Sequence, residues 1–260
     1  MEKHEDRYQK GYNQLTALDA HAPDRLNAVL STIAPDLARL IIEFGYGDIY
    51  TRPGLDIQSR QIATIAALAA LGNAGPQLEL HIRAALNIDV KPEEIIDTIY
   101  VTTVYAGFPA ALNAFSSCRN IFEEQDIQFR PARSGRVENP RETGLKTLES
   151  TSGASGQKVV DSLRDIAPDM ADFIIDFCYG EVFSRDTLSP KHKEIAGIAA
   201  MCAAGNMQPQ LKVHIQAALH VGCTKEEITE VLIQMAVYAG FPASMNGIAA
   251  ARDVFSQNNG

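Results

Sequence analysis

The chain carries the same stretch twice, and that limits its possible folds more than any other feature. Leu78-Glu79-Leu80-His81-Ile82 is answered by Leu211-Lys212-Val213-His214-Ile215. Tyr105-Ala106-Gly107-Phe108-Pro109-Ala110 is answered by Tyr238-Ala239-Gly240-Phe241-Pro242-Ala243. Ala34-Pro35-Asp36 matches Ala167-Pro168-Asp169 and Arg52 matches Arg185; every pair stands 133 positions apart, so the copies align without a gap. Roughly 40 of about 89 positions are identical between 34–122 and its counterpart, far more than unrelated segments give. The 260 residues are about twice the ~100–150 typical of one domain, which suits one small unit used twice. Between the copies, residues 128–143 carry Arg130, Pro131, Arg133, Gly135, Arg136, Pro140 and Arg141 with no apolar periodicity, the pattern of a linker. The expected organisation is a first repeat over 1–127, a linker over 128–143 and a second repeat over 144–260.

Within each copy the spacing is helical. Ile62, Ile65, Ala66, Ala69 and Ala70 recur at intervals of three and four, as do Ile195, Ile198, Ala199, Cys202 and Ala203. Gly72-Asn73 and Gly205-Asn206 stop that helix, and Pro76 or Pro209 fits the first turn of the next, which carries the histidine. Thr224-Lys225-Glu226-Glu227 is a capping box opening a further helix through Tyr238. Phe108-Pro109 and Phe241-Pro242 restart the chain for a last one. No strand-like alternation persists between turn signals, so the fold class is all-α, two tandem helical bundles.

Composition narrows the function classes. Hydrophobic residues at 46% and charged residues at 21% are globular proportions, which excludes a disordered or collagen-like chain. The longest apolar runs, such as Ile62 to Leu71, are broken well short of the roughly 18 residues that span a bilayer, so no membrane partner is expected. A net charge of −9 repels phosphate backbones and argues against nucleic acid as a partner. Met1-Glu2-Lys3-His4-Glu5-Asp6-Arg7 lacks the apolar core of a signal peptide. Cys118, Cys178, Cys202 and Cys223 stand far apart with no C-x-x-C. Reduced thiols and a cytoplasmic location follow as expectations.

Few polar residues stand out. His81 and His214 occupy the same helical place in both copies while their neighbours vary (Glu79 against Lys212, Arg83 against Gln216). Such a histidine is either buried on a backbone carbonyl or, because imidazole titrates near pH ~6.5, a group that gives and takes protons. Arg52 and Arg185 either cap a helix C-terminus or grip a carboxylate bidentately. Tyr105 and Tyr238 suit core aromatics with a bonded hydroxyl. Gln77 and Gln210, one turn before each His, either orient the imidazole or cap the turn. Arg60-Gln61 becomes Lys193-Glu194 in the second copy, and a carboxylate near an imidazole sets its tautomer and raises its basicity. His81, His192, His214 and His220 show no repeated ligand spacing, and no phosphate loop or G-x-S-x-G is present, so neither metal nor cofactor is expected.

The combination Gly-Asn-x-x-Pro-Gln-Leu-x-x-His-Ile-x-Ala-Ala-Leu, then Glu-Glu-Ile, then Val-Tyr-Ala-Gly-Phe-Pro-Ala resembles the carboxymuconolactone decarboxylase family. It occurs at Gly72 to Leu86 with Glu93 to Ala110, and at Gly205 to Leu219 with Glu226 to Ala243. Tyr46 to Leu55 also resembles the segment before the family's central helix. The resemblance implies an all-helical fold of the alkyl hydroperoxidase D-like type and assembly of three doubled chains into a pseudo-hexamer. Alkyl hydroperoxidase D-like members carry a C-x-x-C before the same His and an acidic residue on the preceding helix. Here the places of those cysteines, within Asn73 to Gln77 and Asn206 to Gln210, hold none, whereas Glu194 falls at the acidic position and Gln61 departs from it. The pattern implies a cofactor-free decarboxylase acting on a small carboxylated lactone such as 4-carboxymuconolactone, in aromatic-compound breakdown. A peroxidase-like oxidoreductase and a non-catalytic ligand-binding member are the alternatives. Under the lyase reading His214 and His81 shuttle the proton, Glu194 tunes His214, and Arg185 or Arg52 holds a spectator carboxylate. Gln210, Gln77, Tyr238 and Tyr105 complete the expected substrate contacts, with the second copy carrying more of the chemistry.

Overall fold

The computed structural model describes residues 2–131, 133 and 135–257, with side chains from Arg7 onward. Met1 and 258–260, at the outer ends of the two expected repeats, and Ala132 and Ser134 of the expected linker lie outside the described residues. Among the described residues every regular element is a helix. The first repeat comprises α1 (Glu2–Leu18), α2 (Ala22–Leu30), α3 (Pro35–Leu40), α4 (Ile57–Leu71), α5 (Gly75–Asn87) and α6 (Pro92–Glu124), with α3 running directly into a π-helical stretch, Ile41–Ile49. The second repeats the order as α7 (Pro140–Thr151), α8 (Gly153–Asp161), α9 (Pro168–Phe173) with a π-helical stretch Ile174–Phe183, α10 (Pro190–Ala204), α11 (Gln208–His220), α12 (Lys225–Tyr238) and α13 (Phe241–Gln257).

The punctuation follows from local chemistry. Gly72 and Gly205 end α4 and α10 in the left-handed region, at φ 71° and 77°, where an L side chain is strained. Thr224 caps α12 through the Glu227 amide while the Glu227 side chain returns to the Thr224 amide. Gly107, with φ 79° and ψ 170°, breaks α6 at the point where the second repeat separates α12 from α13. Helix Pro92–Glu124 is long and apolar enough to cross a membrane by length and composition, which the shorter apolar runs had not suggested. It bends at Gly107 and sets Ile95, Ile99, Ala114 and Ile121 into the protein core.

The structural repeat extends further upstream than the identities do. A Cβ on Gly11 would meet the Ile42 carbonyl oxygen at 2.0 Å, and a Cβ on Gly144 the Ile175 carbonyl oxygen at 2.0 Å. Both glycines let the first helix of each repeat lie directly on its π-helical stretch, so α7 starts at Pro140, inside the expected linker.

The repeats share one core. Central helices α4 and α10 pack on each other, and Ser59 Oγ and His192 Nε2, equivalent positions, meet at 3.2 Å. From Ser59 to Ala69 every residue of α4 is buried, as is every residue of α10 from Lys193 to Ala203. These helices are therefore enclosed on all sides along that length. Their polar residues Arg60, Gln61, Thr64, Lys193 and Glu194 are thereby held inside the protein, where each must find a partner.

Candidate active site

Each histidine sits on the helix after the central one and turns its ring toward that helix. His214 Nδ1 lies 2.8 Å from Glu194 Oε2, and His81 Nδ1 lies 2.9 Å from Gln61 Oε1. The fourth side of each site comes from the other repeat. Tyr105, on α6, places its hydroxyl 3.1 Å from His214 Nε2, and Tyr238, on α12, stands 3.2 Å from His81 Nε2. The rings meet edge to face with centroids 5.2 Å apart in both sites. Neither site exists within one repeat alone.

The sites differ in what lies beyond the tyrosine. In the first, Tyr238 Oη meets Tyr50 Oη at 2.6 Å, and Tyr50 Oη meets Thr64 Oγ1 at 2.7 Å. The second has Phe183 and Gly197 at those two places, so neither hydroxyl is present. His81 is buried and its pKa is pushed down to about 3 by desolvation, which keeps the ring neutral. His214 is half-buried and lines a cavity of about 510 Å³ together with Tyr105 and Phe183. Val104, Ile174, Met207 and Val213 make most of that wall apolar, and Gln210 stands exposed at its edge. Burial raises both Tyr105 and Tyr238 well above the ordinary phenol range, so each stays a neutral hydroxyl.

The arginines require correction. Arg185 does not line the His214 cavity: its guanidinium pairs with Asp97 of the first repeat and stacks 4.0 Å over the Tyr100 ring. Arg52 makes the equivalent cross-repeat pair with Glu230 at 2.7 Å, and Glu230 also takes the fully buried Arg60 at 2.9 Å. Desolvation raises the Glu230 carboxyl, but the hydrogen bonds from Arg52 and Arg60 outweigh it and hold it below the usual carboxylate range. These ion pairs join the two repeats and turn both arginines away from the His214 cavity. Gln77 is exposed, and the imidazole beside it is oriented by Gln61; Gln210 likewise leaves the orienting of His214 to Glu194.

Nothing here supplies a reactive thiolate. Cys118, Cys202 and Cys223 are buried and pushed up to about 12, and Cys178, which lines the cavity, up to about 11, each chiefly by desolvation. Among the described residues no three His, Cys, Asp or Glu side chains stand together as a metal site. Two groups sequence reasoning missed are Tyr50 with Thr64 and the carboxylates Asp97 and Glu230. The first could have been noticed as a place where the copies disagree beside Gln61 and Glu194.

The chain is similar to known proteins in sequence and in fold. The carboxymuconolactone decarboxylase family profile matches residues 35–118 and 168–253, one match per repeat. A 4-carboxymuconolactone decarboxylase of Acinetobacter baylyi is 34% identical over 112 residues, 42% of this chain and 83% of that protein. A nitrosuccinic acid decarboxylase of Metarhizium robertsii is 35% identical over 75 residues, 29% of this chain and 52% of that one. Peroxisomal protein 2 of Schizosaccharomyces pombe is 28% identical over 164 residues, 62% of this chain and 70% of its own length. A solved structure assigned as a gamma-carboxymuconolactone decarboxylase subunit of Burkholderia xenovorans superposes with a TM-score of 0.62 at 21% identity, covering 97% of this chain and 98% of that one, a likeness of fold.

Proposed function

We propose that this chain, which belongs to the carboxymuconolactone decarboxylase family, is a cofactor-free carboxy-lyase whose working site is the His214 cavity. The observation that carries the reading is a buried carboxylate, an imidazole and a neutral phenol in line, ending on an apolar cavity of about 510 Å³. The two decarboxylase relatives act on acids that share one trait. In 4-carboxymuconolactone the departing carboxylate is conjugated through a carbon–carbon double bond to the lactone carbonyl; in nitrosuccinic acid it sits beside a nitro group. Either substrate holds its own electron sink. Such an acid needs no prosthetic group, only a site that excludes water and supplies one proton to carbon.

The atoms balance without a co-reactant. The bond from ring carbon to carboxylate breaks, its electron pair moves through the double bond to the lactone carbonyl oxygen, and carbon dioxide leaves. The resulting dienolate collapses by taking one proton on the carbon next to the carbonyl. An apolar wall favours this charge-spreading step, because a localised carboxylate loses more from leaving water than a delocalised enolate does. Gln210, at the cavity edge, offers an amide to the spectator carboxylate that Arg185 cannot hold. His81 has no share in the turnover: it is neutral, and Gln61 behind it cannot stabilise an imidazolium.

The test is direct. Purified protein supplied with 4-carboxymuconolactone should release carbon dioxide without added metal, nucleotide or thiol. Loss of a hydroperoxide driven by thiols, with no release of carbon dioxide from lactone or nitro acid, would overturn the lyase reading in favour of the peroxidase one.

A further inference from the structure

The two sites place their hydroxyl protons differently, and this can be followed donor by donor. In the first, Thr64 Oγ1 donates to the Arg60 carbonyl at 2.9 Å. Its proton is spent, so Tyr50 must donate to Thr64 across 2.7 Å, and Tyr238 must donate to Tyr50 across 2.6 Å. The Tyr238 oxygen can then only accept, and His81 Nε2–H is the donor facing it at 3.2 Å. A neutral His81 with its proton on Nε2 has a bare Nδ1, which calls for the amide of Gln61 to turn its NH₂ group toward the ring. That assignment also removes the buried Gln61 Nε2 from its position without a partner. Every proton of the first site is committed to the protein.

The second site is the same chain cut short. Phe183 replaces Tyr50 and Gly197 replaces Thr64, so among the described residues neither hydroxyl is there to accept from Tyr105. Gly197 is a matter of room as well as chemistry, because a Cβ there would lie 3.0 Å from Tyr105 Oη. Among the described residues the partner of that hydroxyl is His214. A protonated His214 donates Nδ1–H to Glu194 and Nε2–H to the Tyr105 oxygen, leaving the Tyr105 proton directed at the cavity.

We propose that Tyr105, carried into the second site by the first repeat, is the catalytic acid that hands the proton to the substrate carbon, with His214 and Glu194 standing behind it as resupply. This rests on the lyase reading above and assigns its proton step to a residue. As the Tyr105 Oη–H bond breaks toward carbon, the His214 Nε2 proton moves onto the same oxygen, so the phenol is never left as a free anion. The site ends with a neutral imidazole and an ionised Glu194, one proton short, and the next proton from solvent restores it.

Tyr105→Phe should lower kcat for carbon dioxide release by about 10²–10⁴-fold with KM little changed, since a general acid acts in the transition state and not in binding. The same variant should lose, by a similar factor, the exchange of ring-carbon hydrogen of the enol-lactone product in deuterium oxide, which reports the proton step run backwards. A second variant keeps Tyr105 and Gly197 as they are: Phe183→Tyr alone returns the hydroxyl that accepts the tyrosine proton in the first site, and it should slow both readouts while the melting temperature holds. Carbon dioxide release at the wild-type rate in Tyr105→Phe overturns the assignment and leaves the lyase reading standing. So does a fall in release with exchange untouched, or a fall matched by raised KM and a lowered melting temperature, which is what a merely positioning residue would give. Wild-type protein that neither releases carbon dioxide nor exchanges the ring hydrogen overturns the lyase reading and the assignment with it.

Discussion

Glu194→Gln turns the second site's imidazole partner into the first site's. The substitution removes one charge and almost no volume, and the fold already tolerates it, because Gln61 occupies the equivalent position fully buried. Stability should hold. Glu194 Oε1 has no hydrogen-bond partner in its buried position, so a glutamine amide there leaves no more unsatisfied than is unsatisfied now. The loss should fall on chemistry. A carboxylate oxygen 2.8 Å from His214 Nδ1 can only accept there, which fixes the ring's orientation and turns Nε2 toward Tyr105. If turnover draws on the imidazolium, kcat at neutral pH should fall by about 10²–10⁴-fold, the range typical of a general acid–base group. The assay is steady-state carbon dioxide release with unfolding followed in parallel. A variant that keeps its melting temperature and its kcat refutes the role assigned to the pair. The reciprocal change, Gln61→Glu, should not awaken the first site, because the Tyr238 proton would remain committed to Tyr50.

Three further outcomes are expected. Gly144→Ala should destabilise the protein by more than about 2 kcal/mol in urea unfolding, since its Cβ would stand 2.0 Å from the Ile175 carbonyl oxygen and backbone must move. His81, held neutral with a pKa of about 3 against ~6.5 when unfolded, makes the unfolded state bind more protons between those values. Stability on its account is therefore complete above pH ~6.5 and falls progressively toward pH 3, by up to about 4–5 kcal/mol, and His81→Gln should flatten that part of the acid limb in denaturant titrations at each pH. In solution three chains of 28.3 kDa should associate, giving about 85 kDa by light scattering. Among the described residues, ten of the fourteen large exposed apolar residues fall at equivalent places in both repeats: Ile33 and Ile166, Leu37 and Met170, Leu40 and Phe173, Phe108 and Phe241, Leu112 and Met245. A face repeated in this way lets the first repeat of one chain meet the second repeat of the next and close a ring; a monomer at micromolar concentration would rule it out.

Much of the architecture was legible because a duplicated sequence repeats its own punctuation. Gly72 and Gly205, the prolines at the next helix starts, and the capping box at Thr224 act through neighbours a few residues away, so their meaning survives in one dimension. The histidines and the exchange of Gln61 for Glu194 were legible for the same reason, being one helical hairpin apart. The arginines were misjudged because their partners are not local: Asp97 and Glu230 lie in the opposite repeat, 88 and 178 positions away in sequence. Tyr105 and Tyr238 could be seen to matter, but not that each serves the other copy's histidine. Identity between the copies speaks for the shared bundle, whereas chemistry sits where they part company among matching neighbours. Positions 50 and 183, 61 and 194, and 64 and 197 all differ, and all three pairs lie on one line of hydrogen-bonding groups. A phenylalanine for a tyrosine, a glutamate for a glutamine and a glycine for a threonine are minor changes taken singly. Together they remove two acceptors beyond the tyrosine, add a carboxylate behind the imidazole and leave one hydroxyl facing a cavity.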